Sequence, residues 1–373
     1  MQDEYLQDGR KRRQELQNLF NVGSKLGYTS GELSEALHEG RSQAFIDVLM
    51  ACLPNVSTLY LSPGWLPRST LSQSSHLQKL QSLTVFGSPF DQNPDIGYRE
   101  MFVKDAGRLF FLPTVRKVSI FDIHLSCFSD LIEVNTARTS SITDLTLVPG
   151  GDYPLIEDSR TTLRECLKQP QALVSLTVFL PRYTSMVDQT LPSNIIPNDE
   201  LWRILSFHKH CLEYLDIYDQ DADCDRSSFL WKPHLSKLDG FERLHTLRIL
   251  QQSLVGGFNG IREASFRLQE TLPVSIRSLT IYANRPEGLR FEQQILEAMQ
   301  NFKFQKLAFL IFQEVSGSTS ISMQTYKELV RVCSDRNISL AFLEHDHLPR
   351  GGKSLLEYGE AHDPEQYISQ GGR

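Results

Sequence analysis

Four aspartates alternate along one short stretch: Asp219, Asp221, Asp223 and Asp225. Carboxylates at every second position are how a calcium loop begins, since the ion needs about six to eight oxygen ligands from a tightly turned chain. The rest of such a loop is missing. Counting from Asp219, the turning glycine falls on Cys224 and the closing glutamate on Leu230. The stretch reads as a solvated acidic loop at a strand end, open to a basic partner. Glu344-His345-Asp346-His347 holds further metal-type ligands, but the spacing is not that of a metal site. Gly352-Lys353-Ser354 resembles the end of a phosphate loop, yet the opening glycine would fall on His347. Gly256-Gly257-Phe258-Asn259-Gly260 could turn backbone N–H groups toward an anion, but no lysine or paired acid stands beside it. His208 follows Leu201 by seven residues on an apolar helix face, which makes it a core histidine. There is no GxSxG, HExxH or dinucleotide-binding glycine pattern. The sequence therefore predicts no cofactor or metal and no local catalytic motif; an enzyme built here would need residues dispersed along the chain.

The elements that would carry any such residues follow from one recurring phrase: apolar, two free positions, apolar, one free position, apolar. Its clearest copy is Ile276-Arg277-Ser278-Leu279-Thr280-Ile281. It recurs as Val56/Leu59/Leu61, Leu80/Leu83/Val85, Val115/Val118/Ile120, Ile142/Leu145/Leu147, Leu173/Leu176/Val178, Leu212/Leu215/Ile217, Leu244/Leu247/Ile249 and Phe304/Leu307/Phe309, with a fraying tenth copy at Leu340/Phe342. The central residues step by 24, 35, 27, 31, 39, 32, 32 and 28, a mean of 31. About 30 residues hold one strand, one helix and the connections between them, the unit of an α/β solenoid. Alternation within each phrase gives the strands. The gaps give the helices: Phe45/Val48/Leu49/Cys52, Phe102/Ala106/Leu109/Phe110, Leu163/Cys166/Leu167, Leu201/Ile204/Leu205 and Phe291/Ile295/Met299 recur with helical spacing. Strand alternating with helix predicts a parallel sheet with helices on one side.

Composition bounds the partners. The chain of 373 residues is 40% hydrophobic and 22% charged, as folded proteins are. A net charge of −7 argues against nucleic acid as the main partner. No apolar run reaches the roughly 20 residues of a membrane span, and Met1-Gln2-Asp3-Glu4 lacks the apolar core of a secretory signal. The six cysteines form no CxxC pair and read as reduced and mostly buried, which places the chain in the cytoplasm or nucleus. Residues 1–50 read as a helical cap, and Arg10-Lys11-Arg12-Arg13 within it as a solvated basic face. The array runs from 51 to 343, with its longest step over the proline-bearing loop between Pro181 and Pro197, after which Asn198 reads as a helix N-cap. Residues 344–373 read as a weak cap and a frayed tail.

Over 51–343 the phrase resembles the leucine-rich repeat, L-x-x-L-x-L-x-x-N/C, and the irregular steps and the Leu53-Pro54-Asn55-Val56 and Leu272-Pro273 openings look most like the repeat domains of fungal F-box proteins. The resemblance implies a right-handed leucine-rich-repeat solenoid, with its parallel sheet on the concave face and helices on the convex face. It also implies a substrate-recognition adaptor working with ubiquitin-ligase components. Two departures stand out. The consensus asparagine or cysteine occurs only as Asn284, so other groups must satisfy the backbone between coils. No F-box pattern is legible near the N-terminus.

Each strand should turn three positions away from the core. The first two rows are mainly small and hydroxylated, with Tyr214 in the first and Asp216 and Arg248 in the second. The third reads Ser62, Phe86, Phe121, Val148, Phe179, Tyr218, Leu250, Tyr282 and Leu310. An exposed apolar stripe marks an interaction surface. The loops leaving each strand are long and contain apolar residues, so they could fold back and bury the stripe. The alternative is that Phe86, Phe121, Phe179, Tyr218 and Tyr282 are partly accessible anchors for another protein, flanked by Tyr214, Asp216 and Arg248. Asp144 and Asp216 are the only carboxylates in these rows and no histidine joins them, which suits contact better than proton transfer.

Overall fold

The computed structural model describes scattered positions from 14 to 53 and then residues 55–61, 78–86, 112–123, 140–149, 166–180, 198–219, 235, 237–255, 267–283, 288–300, 304–314 and 326–343. Ten strands form one sheet: β1 (Thr58–Leu61), β2 (Ser82–Phe86), β3 (Lys117–Ile123), β4 (Asp144–Pro149), β5 (Ser175–Leu180), β6 (Tyr214–Asp219), β7 (Thr246–Leu250), β8 (Ser278–Ala283), β9 (Phe309–Glu314) and β10 (Ser339–Leu343). Their order in space is their order in the chain, and every neighbouring pair is parallel. Among the described residues, five helices lie between them: α1 (Asn198–Ser206), α2 (Gln251–Val255), α3 (Leu268–Thr271), α4 (Gly288–Gln300) and α5 (Lys327–Asp335).

The register follows the recurring phrase. Leu59, Leu83, Val118, Leu145, Leu176, Leu215, Leu247, Leu279, Leu310 and Leu340 stand side by side across the sheet. A row of backbone carbonyls runs parallel to them. The carbonyl of Ser57 accepts the N–H groups of Gln81 and Ser82, and Gln81, Arg116, Thr143, Val174, Glu213, His245 and Arg277 each do the same for the next coil. One shared acceptor per coil locks each strand to the previous one whatever the length of the intervening loop.

The ninth copy is a correction. Leu310 and Phe312, rather than Leu307 and Phe309, pair with Leu279 and Ile281, so the step from β8 to β9 is 31 residues rather than 28. Leu307 takes the place that Ile276 takes one coil earlier, because Ala308 N–H bonds to Arg277 C=O. Phe309, Ile311 and Gln313 therefore occupy the face away from the core. The tenth copy is a full strand, with Phe342 stacked on Phe312 at 5.4 Å between ring centroids.

The inward strand residues and the helix faces form one hydrophobic cluster, including Leu201, Ile204 and Leu205 of α1, Ile295 and Met299 of α4, and Leu329 and Cys333 of α5. Burial of this kind stabilises by about 25 cal/mol per Å² of apolar surface removed from water. Cys166 and Cys333 are buried and Cys52 is exposed. Burial pushes the Cys333 thiol up to about 11. In the N-terminal stretch Leu33 and Val48 are buried, and nearly all its described positions are helical. The predicted helix faces around 102–110, the 181–197 loop and the tail after 343 lie outside the described residues.

Side chains replace the missing asparagine ladder. Ser141 Oγ donates to the carbonyls of Leu112 and Val115, and Ser275 Oγ, at the same place in its coil, donates to those of Phe241 and Leu244. His208, 1% exposed, accepts from Leu173 N–H at Nδ1, leaving Nε2–H to face Leu167 C=O at 3.1 Å. The core histidine expected from its helix position thus bridges two coils. The Leu112 and Phe241 carbonyls also accept the N–H groups of Val115 and Leu244. A buried N–H or carbonyl left unpaired costs about 1–3 kcal/mol, which is what these side chains help to avoid.

Candidate functional site

Alternation along β6, β7 and β8 places Asp216, Arg248 and Thr280 side by side on the face away from the core. Arg248 Nη1 lies 3.2 Å from Asp216 Oδ2. Tyr282 donates its hydroxyl to Asp216 Oδ1 at 2.7 Å, and Tyr214 donates to Oδ2 at 3.3 Å. The second Arg248 amino group, Nη2, donates to Gln313 Oε1 on β9 at 3.1 Å, and the guanidinium carbon sits 5.6 Å from the centre of the Tyr282 ring. Four consecutive strands thus contribute to one polar cluster: two tyrosines and an arginine share one carboxylate, and a glutamine completes the arginine.

The cluster is buried. Asp216 is 3% exposed and Tyr282 0%. Burial raises the Asp216 carboxyl, while Arg248 and the two tyrosine hydroxyls pull it back down. Burial also disfavours the Arg248 cation, but Asp216 holds it and carries its pKa well above the usual value. Burial, reinforced by the negative charge of Asp216, pushes the Tyr214 phenol up to about 12, and burial holds Tyr282 well above the ordinary phenol range. Both hydroxyls therefore stay protonated and act as donors to the carboxylate. Among the described residues Arg248 Nε, Ser278 Oγ and Thr280 Oγ1 nearby have no hydrogen-bond partner.

Beside the polar cluster runs an aromatic row. Phe179 and Tyr218 stand 5.5 Å apart between ring centroids, and Tyr218 meets the Tyr282 ring edge-on at 5.3 Å. Tyr218, Leu250 and Tyr282 form a second apolar cluster, separate from the main core, with Phe179 packed against it. The expected stripe of accessible anchors is corrected at these positions: Tyr218 and Tyr282 are buried, and so are Asp216 and most of Arg248. Tyr214 is half-buried. Phe121 and Phe179 are half-buried as well, and the Phe86 side chain lies outside the described residues. Leu310, expected in the outward row, belongs to the core. Gln313, which takes the third-row place in β9, was missed for the same reason.

The face accordingly divides in two. In β6–β9 the side chains of Asp216, Tyr218, Leu250, Ser278, Thr280, Tyr282, Ile311 and Gln313 are buried, and only Tyr214, Thr246, Arg248 and Phe309 of the described residues in these rows are half-buried. In β1–β5 Tyr60 is 61% exposed, Thr58 and Lys117 are exposed, and Ser82, Asp144, Thr146, Val148, Ser175 and Thr177 are half-buried alongside Phe121 and Phe179, while the small middle-row residues Thr84 and Ser119 are buried. Among the described residues no group of three or more His, Cys, Asp and Glu converges on a metal position, and no helix is long and apolar enough to cross a membrane. The acidic stretch after Asp219 lies outside the described residues. No family model and no curated protein matches this chain.

Proposed function

We propose that the chain is a protein-binding scaffold, a right-handed leucine-rich-repeat solenoid with its sheet on the concave side, and that its binding surface is the sheet face away from the core. The observation that carries this reading is the row Phe121, Val148 and Phe179, half-buried on three consecutive strands whose order and register are fixed by the coil. Half-buried apolar side chains at regular spacing are what a partner's side chains can be packed against. The Asp216 cluster supports the scaffold reading over an enzyme with dispersed catalytic residues. Both of its carboxylate oxygens are taken, and its phenols are held neutral, so it offers rigidity rather than a proton to move. A role as a substrate-recognition adaptor beside ubiquitin-ligase components, in the cytoplasm or nucleus, extends this reading on the repeat resemblance alone.

Affinity capture with the wild-type chain and with the Phe121→Ser/Phe179→Ser double variant tests it. The double variant should lose partners that the wild type recovers, while its unfolding transition stays cooperative. Recovery of the same partners by both removes this face from consideration.

A further inference from the structure

On the binding-scaffold reading above, we infer that the accessible half of the sheet face receives an extended, uncharged segment of a partner bearing one large apolar side chain, and not a folded domain. Size is the first reason. Five strands about 4.8 Å apart and three rows about 7 Å apart bound a strip of at most about 20 by 14 Å, or about 300 Å², within which Thr84 and Ser119 are buried. A stable interface between folded proteins takes about 800 Å² from each partner. The strip ends on the β6 side, where Tyr218 and Tyr282 are buried and Phe179 packs against them. An extended chain rising about 3.3 Å per residue would cross the five strands in about six residues.

Charge is the second reason. Over the described positions of these rows in β1–β5 there is one cation and one anion, Lys117 and Asp144, and they are register neighbours. The strip has no net charge to offer a phosphate backbone or an acidic peptide, both of which are held through accumulated charge. In β4 and β5 its middle row presents the half-buried Thr146 and Thr177 hydroxyls, which can both donate and accept and so suit the N–H and C=O groups of an extended backbone, whereas Thr84 and Ser119 of the same row are buried. The row Phe121, Val148 and Phe179 then forms an apolar ledge along the strand ends, wide enough for one large side chain. Chain polarity is matched to the hydroxyl row and the anchor to the ledge.

The experiment uses the full chain against an array of blocked hexapeptides made of Gly, Ser, Thr and Asn with a single Phe, Leu or Trp, and a matched array with that residue replaced by Asp. Saturable binding by members of the first array, at least tenfold weaker in Val148→Asp and in Thr177→Lys and little changed by salt, is the expected result. Two variants on different rows guard against one of them failing to fold. No saturable binding by any apolar-bearing peptide, or binding that both variants leave intact, overturns the proposal. So does a captured partner that depends on Phe121 and Phe179 but binds only while folded; that outcome leaves the scaffold reading standing.

Discussion

Asp216 and Arg248 face each other across β6 and β7 at 3.2 Å, on the side of the sheet turned away from the leucine core. A buried pair of this kind forms only where further hydrogen bonds offset the loss of water, because desolvating two ions costs several kcal/mol each. Tyr214, Tyr282 and Gln313 supply those bonds from the same strand, the second strand on and the third strand on. The cluster therefore ties β6 through β9 together on one face while leucine packing ties them on the other.

Removing one member should cost more than removing the pair. Asp216→Ala leaves the Arg248 cation buried without its counter-charge and should destabilise the chain by about 3–5 kcal/mol. Asp216→Leu combined with Arg248→Met should be substantially less harmful than the sum of the single changes. Urea unfolding of the four proteins in a double-mutant cycle measures both. Additive losses would mean that the two side chains do not depend on each other.

Alkali should unfold the protein through its tyrosines. Burial pushes Tyr214 and Tyr326 up to about 12 and holds Tyr282 above the ordinary phenol value. In the unfolded chain these phenols ionise near about 10. The stability they contribute is therefore complete below pH 10 and is lost as the pH climbs toward about 12. Of the 12 tyrosines, these three should ionise together with unfolding in an absorbance titration at 295 nm. Asp216 follows the same sign in the acid range: its raised pKa means the folded state holds that proton more tightly, so its contribution is full at low pH and falls as the pH rises through the folded value. Acid unfolding should accordingly be no later in Asp216→Asn than in the wild type.

Ser141 and Ser275 stand at equivalent places and each donates to two carbonyls of the coil before. Ser141→Ala and Ser275→Ala should each cost about 0.5–1.5 kcal/mol, the net worth of a hydrogen bond. The two sites lie far apart along the array, so the double variant should lose the sum of the two, which thermal or urea unfolding can read. A negligible loss at either position would show that water serves those carbonyls equally well.

The leucine ladder was legible because two periods coincide in it: alternation within each phrase and a recurrence near 31 residues between phrases. Phe121 and Phe179 were correctly placed on the face away from the core, as were Asp216 and Arg248. Burial was one of two readings the sequence allowed, and which positions are covered was not legible. Alternation tells which face a side chain takes, while exposure depends on what else packs there, and Tyr218 and Tyr282 are buried on a face where their neighbours in β3 and β5 are only half covered. Nor was Gln313. It lies beyond Leu307-Ala308-Phe309-Leu310-Ile311-Phe312, six apolar residues in which either register satisfies the pattern. Only the backbone bonds from Ala308 and Phe309 to the Arg277 carbonyl select one of them.

That selection can be tested directly, since a shift of three residues exchanges the two faces of the strand. With the observed pairing, Phe312 is 1% exposed and stacks on Tyr326 at 5.1 Å and on Phe342 at 5.4 Å, whereas Phe309 is half-buried on the opposite face. Phe312→Ala should therefore cost about 3–5 kcal/mol, the penalty for emptying an aromatic site in a packed core. Phe309→Ala should cost about 1 kcal/mol, as typical substitutions do. Urea midpoints for the two variants give the comparison. The reverse ranking would put Phe309 inside in place of Phe312, separate Arg248 from Gln313, and leave the arginine with one fewer partner than the cluster needs to bury its charge.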